Sequence, residues 1–403
     1  MRVSRYQSCR PSPNSSNAGF AFTWPEYVVS VGYSRKRRAI SLCSSPAKFS
    51  KIVNMPSVEV QSIATMTAAA AAIYAVASAT IGAAFAERAL HLPIENNLNN
   101  SSLRLAATGQ GVASLEDASI TVQDGVRLFG WYVRPVHDNG STVILLHGAG
   151  HDRVRVEKQA LALLRHGYRV LMPDSRGQGH SEGRLTTFGV KESDDVQLWV
   201  SWLQKCDPPK CIYGYGQSMG ALILLRSLAA EKRFCAVAVD SCPISFVEAG
   251  YDLIGRAVRL GSWFGRSFGR VAIEVAMLYS RLRYGVNLTD ASAETGLRRS
   301  AIPVLLIQGT MDRKVPLRHV GRLSSCTRMA EVWYVPGAGH SAAIDCYRYR
   351  QSRIRTKTCE LVYTATTGRN ARNITARFEL CCMRRQRKVI CLLTLSRRGC
   401  GAG

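Results

Sequence analysis

Gly216, Ser218 and Gly220 form a G-x-S-x-G within Gly214-Tyr215-Gly216-Gln217-Ser218-Met219-Gly220. An apolar run, Cys211-Ile212-Tyr213, precedes it, and a helical run from Ala221 to Leu228 follows. A serine so placed sits on a tight, strained strand-to-helix turn, and the turn pushes its hydroxyl out above the sheet. A hydroxyl is a poor nucleophile near neutral pH. A neutral imidazole within hydrogen-bond reach can take its proton during attack and return it to the leaving group. A carboxylate on the other ring nitrogen fixes the tautomer and stabilises the imidazolium. The candidates are Asp312, in Gly309-Thr310-Met311-Asp312-Arg313-Lys314-Val315-Pro316, and His340, in Gly337-Ala338-Gly339-His340-Ser341. Charge developing on a carbonyl oxygen needs fixed donors. The backbone N–H of Met219 is one, and that of Ala149, in the turn His147-Gly148-Ala149-Gly150, is the other.

Each residue also has a plainer reading. Ser218 could sit in an ordinary glycine-rich loop, His340 on the surface, and Asp312 at a turn or helix cap. Asp240 is a rival acid. Asp174 and His147 read as structural, supporting the loops in which they lie. The joint pattern outweighs these readings, because each reactive candidate follows an apolar run.

Those runs alternate with helical ones. Strands are expected at Thr142–Leu146, Tyr168–Met172, Cys211–Tyr215, Ala236–Val239, Val304–Ile307 and Val332–Val335. Helices are expected at Glu157–Arg165, Gly189–Leu203, from Ser218 onward, and at Arg318–Leu323. In the second of these, Val196, Trp199, Val200 and Leu203 keep the i, i+3, i+4, i+7 spacing. Asp124-Gly125 between apolar runs signals a hairpin ahead of them. Repeated strand–helix alternation implies an α/β fold, a mostly parallel sheet covered on both faces. Reactive groups then gather beyond the carboxyl ends of the strands.

With these motifs in view, residues of roughly 117–343 resemble the α/β-hydrolase superfamily. Pro173-Asp174-Ser175-Arg176-Gly177-Gln178-Gly179-His180-Ser181 is similar to its D-x-R-G-x-G-x-S loop, and Gly189, Glu192 and Asp195 to its G-x-x-E-x-x-D helix. The likeness is greatest to bacterial hydrolases of the BEM46/ABHD17-like kind, several of which carry an N-terminal membrane helix. The resemblance implies the α/β-hydrolase fold, a Ser-Asp-His set and a final helix covering the sheet edge. Residues 243–300, apolar with interspersed arginines, read as a helical cap that suits an acyl substrate or simply packs on the sheet.

The formal charge of +25 belongs mainly to the ends of the chain: residues 1–54 carry +8 and residues 346–403 carry +12, leaving +5 between them. A basic chain suggests nucleic acid, but neither end shows a known nucleic-acid-binding module, so no nucleic-acid partner is expected. Residues 1–63 read as a disordered basic arm or the product of an over-long reading frame, with Met55 and Met66 as later starts. Residues 64–86 are uncharged and long enough for a transmembrane helix. The alternatives are a secretory signal, with Ala84-Phe85-Ala86 as its cleavage site, and a buried helix. The first two place the domain outside the cytoplasm, membrane-anchored or secreted. Residues 87–116 form a polar linker, 117–345 the hydrolase domain, and 346–403 a basic, cysteine-rich tail that reads as disordered or frame-shifted. Cys206 and Cys211 could bridge in an oxidising compartment. No His/Cys grouping has metal-ligand spacing, and no cofactor is expected.

The expected function is therefore a serine hydrolase cleaving carboxylic esters or thioesters of small or lipid-like substrates through an acyl-enzyme. The alternatives are a peptidase of the same mechanism, and a non-catalytic, membrane-tethered binding protein.

Overall fold

A computed structural model describes residues 57–93, 97, 101, 103 and 112–345, together with the backbones of short strands at 20–24, 27–31, 360–365, 374–379 and 394–397. The expectations placed on the N-terminal arm before residue 57, and on the tail from residue 346 apart from those strand backbones, lie outside the described residues. The chain divides into two units, Met1–Tyr74 and Ala75–Gly403, and the second holds the main sheet.

That sheet has eight strands: β1 (Val112–Thr121), β2 (Arg127–Pro135), β3 (Thr142–Leu146), β4 (Arg169–Pro173), β5 (Ile212–Gln217), β6 (Phe234–Asp240), β7 (Val304–Gly309) and β8 (Ala330–Val335). Their order across it is β8-β7-β6-β5-β3-β4-β2-β1. β1 and β2 form an antiparallel hairpin around Gly125, whose φ of +79° suits the turn. β2 pairs antiparallel with β4, and every other pairing is parallel. The hairpin strand begins earlier than its apolar core suggested, at Val112, where the polar linker was expected to continue. Only Val112 and Ala118 in it are buried, so composition alone hides it.

The inner strands are buried on both faces, as the unbroken apolar runs required. Successive residues of β3 serve opposite sides: Ile144 joins one cluster with Trp199 and Leu224, while Val143 and Leu145 join another with Val156 and Leu164. α2 (Glu157–Leu164) covers the second face. α3 (Glu192–Cys206), α4 (Met219–Ser227), α8 (Ala293–Arg298) and α9 (Arg318–Ser324) cover the first. In α3 the four residues of the predicted stripe are all buried. Edge strand β8 is only half-buried, unlike its interior neighbours. Cys206 and Cys211 are not bridged.

Between β6 and β7 the chain forms a cap: α5 (Phe246–Ala257), α6 (Gly261–Arg266) and α7 (Arg270–Tyr284). Its apolar side chains divide between buried and exposed positions. Phe246, Ile273 and Met277 are buried, while Leu253, Trp263, Phe268 and Leu278 remain exposed.

The apolar run near the N-terminus is one long helix, α1 (Ser57–Leu90). Its Gln61–Leu90 stretch is long and apolar enough to cross a membrane. Ile73, Val76 and Ile81 are exposed. Its last turns are not: Ala86 and Leu90 are buried in a cluster with Phe246 and Ile273 of the cap. Phe85 lies 5.8 Å from the Phe246 ring, and the Glu87 carboxylate accepts hydrogen bonds from the Tyr279 and Tyr284 hydroxyls, each at 2.6 Å.

Candidate active site

Ser218 stands between β5 and α4 at φ +52°, ψ −111°, a region that non-glycine residues enter only under constraint. The flanking glycines make this conformation possible. A Cβ on Gly216 would meet the Gly220 carbonyl oxygen at 2.5 Å, and one on Gly220 would meet the Leu146 and His147 carbonyl oxygens at 2.4 and 2.6 Å. Those neighbours are backbone and cannot swing aside. Gly220→Ala is therefore expected to destabilise the fold by about 1–3 kcal/mol or more, measured as a drop in thermal midpoint. The turn is anchored by Ser218 N–H, which donates to the Asp240 carbonyl at 2.9 Å.

Asp312 follows β7 and His340 follows β8, the two strands at one end of the sheet. Parallel pairing puts both loops at the same edge as Ser218. There the structure brings the three candidates together. Ser218 Oγ lies 2.9 Å from His340 Nε2, and Asp312 Oδ2 lies 2.9 Å from His340 Nδ1. An Nδ1–H donating to the carboxylate leaves Nε2 as the acceptor for the serine proton. The carboxylate's other oxygen accepts from the N–H groups of Lys314 and Val315, at 2.8 and 2.9 Å. Burial raises the Asp312 pKa, but the bond from His340, that residue's charge and the Val315 N–H outweigh it and hold the group below the usual carboxylate range. Such a group stays ionised when imidazole titrates.

Asp240 ends β6, one strand over, and His340 does not turn to it. Its Oδ1 accepts from the Ser241 hydroxyl at 3.0 Å, which in turn accepts from Ser341 N–H at 2.9 Å. Burial, reinforced by the nearby Asp312 charge and partly offset by Ser241, pushes the Asp240 carboxyl up to about 7.

Ala149 and Met219 line the same pocket as Ser218 and His340. The Ala149 turn is held by His147, which is fully buried. Ser175 N–H donates to its Nε2 at 3.0 Å, so its proton is on Nδ1, which donates to the Gly148 carbonyl at 2.8 Å. Burial lowers its pKa and keeps it neutral. Gln178 joins this support, accepting from Gly150 N–H at 2.9 Å. Asp174 takes the Arg153 guanidinium at 2.6 Å and His180 N–H at 2.8 Å. Both Asp174 and His147 are thus structural. Arg176 clamps Asp195 with two bonds, at 2.6 and 2.8 Å, and Glu192 accepts from Thr187 and Gly189 N–H at 2.6 and 2.7 Å.

Sequence reasoning missed several supports. Gln308 donates to the Val315 carbonyl at 3.0 Å and so braces the acid loop. His319 accepts from Ile244 N–H at 3.1 Å and donates to Asp252 at 2.7 Å, joining cap to core. A lone glutamine or histidine carries no spacing signal, so neither could be read from the chain. The involvement of α1 was missed too: Phe85, Arg88 and Ala89 line a cavity of about 280 Å³ above Ser218, together with Phe188, Phe246 and Leu253.

Comparison with known proteins agrees with this fold. Residues 143–348 match the model of the alpha/beta hydrolase family. The chain belongs to that family. It is similar to the uncharacterized protein YqkD of Bacillus subtilis, 28% identical over 54% of this chain and 70% of that protein. It is similar to the monoglyceride lipase of Mus musculus, 27% identical over 51% of this chain and 76% of the lipase. Among solved structures, the esterase PF2001 of Pyrococcus furiosus superposes with a TM-score of 0.51 at 28% identity, covering 64% of this chain and 92% of the esterase. The α/β-hydrolase fold and membership of a hydrolase family are thereby established.

Proposed function

We propose that this hydrolase is a serine esterase that cleaves carboxylic esters or thioesters through an acyl-enzyme on Ser218. The observation that carries the reading is the continuous bond chain Ser218–His340–Asp312 at the floor of a largely apolar pocket. The similarity to an esterase and a monoglyceride lipase supports it. In the first step Ser218 Oγ bonds to the acyl carbon as its proton passes to His340 Nε2. Met219 and Ala149 N–H receive the oxyanion. The imidazolium, held by Asp312, then protonates the departing alcohol or thiol. A water repeats the sequence and releases the acid.

The assignment to the BEM46/ABHD17-like group, with a hydrolase domain over 117–345 and a separate tail over 346–403, belongs to the same proposal. So does membrane attachment through α1 with the domain outside the cytoplasm. The packing of Phe85 and Ala86 against the cap favours retention of the helix over cleavage beside those residues.

A fluorophosphonate probe is expected to label the full-length chain and leave Ser218→Ala unlabelled. Labelling of that variant would remove the proposed nucleophile. Among p-nitrophenyl esters, kcat/KM is expected to peak at about eight acyl carbons or fewer, because the cavity lies at the small end of ligand pockets.

A further inference from the structure

The walls of the pocket over Ser218 are apolar, but its charged lining is of one sign. Arg88 from the end of α1, Arg256 from α5 and Lys314 from the acid loop all face it, and among the described residues no carboxylate does. The acids nearby in the fold are already engaged. Glu87 is held by Tyr279 and Tyr284, with His91 at 3.2 Å. Asp252 pairs with Arg318 and His319, and Glu248 with Arg266 and Arg322. Arg256 is itself committed, donating to the carbonyls of Arg313 and Lys314 at 3.0 and 2.8 Å, which fixes the backbone that carries Lys314. Arg88 and Lys314 are exposed at the mouth of the cavity. The site thus offers an apolar chamber beside the reactive hydroxyl and a positive rim on which, among the described residues, no carboxylate stands.

Resting on the reading of Ser218 as nucleophile, we propose that the preferred substrate is an ester whose alcohol part carries a fixed negative charge, a phosphate or a carboxylate. The acyl chain fills the chamber, and the anion of the leaving group meets Arg88 and Lys314 at the rim. Positive charge at a partly apolar cleft raises the local concentration of an anionic substrate and orients its ester bond. The chemistry balances without any further reactant. The acyl carbon passes from the alcohol oxygen to Ser218 Oγ, and the serine proton goes by way of His340 to the departing alcohol. Water then supplies a hydroxyl to the acyl carbon and a proton to the serine.

The test measures kcat/KM of the full-length chain in neutral detergent for hexanoyl glycerol, hexanoyl glycerol 3-phosphate and a hexanoyl ester of glycolate, each as a soluble monomer. At least one anionic ester is expected to be favoured over the neutral one by roughly tenfold, the effect of two exposed charge contacts. Comparing the two anions shows which is meant. The double variant R88Q/K314Q is expected to bring the ratio close to one, mainly through KM. Arg281→Gln removes an exposed cation elsewhere on the cap and should leave the ratio unchanged. The proposal is overturned if neither anion is preferred, if the double variant leaves the ratio intact, or if Arg281→Gln lowers it equally, since net charge would then be the cause. If no ester is turned over while the fluorophosphonate still labels Ser218, the substrate class is wrong and the nucleophile stands. If Ser218→Ala still hydrolyses the esters, the nucleophile reading fails instead.

Discussion

Ser218→Ala is expected to lower kcat for ester hydrolysis by roughly a million-fold, the loss typical of removing the nucleophile from a cooperating set. Adding His340→Ala should cost little more, because the imidazole acts only through the serine proton. Asp312→Asn is expected to cost about 10⁴ in kcat, since an amide in place of the carboxylate favours the wrong imidazole tautomer. Asp240→Asn should change kcat only a few-fold, because the His340 ring hydrogen-bonds Asp312, at 2.9 Å. The pair of asparagine variants therefore decides which carboxyl orients the base. Steady-state kinetics on a short p-nitrophenyl ester, with folding checked by circular dichroism, reads all four. Equal losses in the two asparagine variants would reject the assignment of Asp312.

A second large effect is expected on stability. In the native state the buried Asp240 carboxyl titrates at about 7, whereas an unfolded aspartate titrates near 4. From about pH 4 to pH 7 the unfolded chain gives up a proton that the native chain retains. This group's contribution is therefore fully present below about pH 4, is lost as pH rises to about 7, and is constant beyond. Three units correspond to about 4 kcal/mol at most. An asparagine side chain in place of Asp240 could still accept from the Ser241 hydroxyl but would carry no charge to bury. Asp240→Asn is thus expected to raise the denaturation midpoint at pH 8 and to change it little at pH 4. Asp312 has the opposite sign, since its stabilising ionisation is lost as pH falls through its depressed native value. The difference between wild type and the Asp240 variant isolates Asp240. Parallel denaturation curves at pH 4, 6 and 8 would refute the buried-charge account.

The parts of this molecule legible in its chain are those with local causes. β3, β5 and β7 are runs of five or six residues bounded by turn residues, and that shortness favours a buried strand over a buried helix. The Ser218 turn was legible because its geometry demands glycine at 216 and 220, where a Cβ would strike backbone. The stripe Val196, Trp199, Val200 and Leu203 announced which face of α3 is buried. The full length of β1 is not legible, because polar Ser114, Glu116 and Asp117 interrupt it, and only its pairing with β2 reveals it. The Gln308 brace and the His319–Asp252 pair join residues 7 and 67 positions apart, and no periodicity marks them.

By itself, then, the sequence determined a parallel α/β sheet, a serine on a constrained turn, and a short roster of acids and bases that could serve it. Tertiary structure decided among them. Asp240 ends β6 and Asp312 lies in the loop after its parallel neighbour β7, and loop course and register alone turn the His340 ring to Asp312 and leave Asp240 buried beside it. The same holds for α1, whose alanine-rich pattern fitted a membrane span, a signal or a core helix. Its last turns close the pocket because the cap presents Phe246 and Ile273 to them, and that surface exists only after distant segments have folded together.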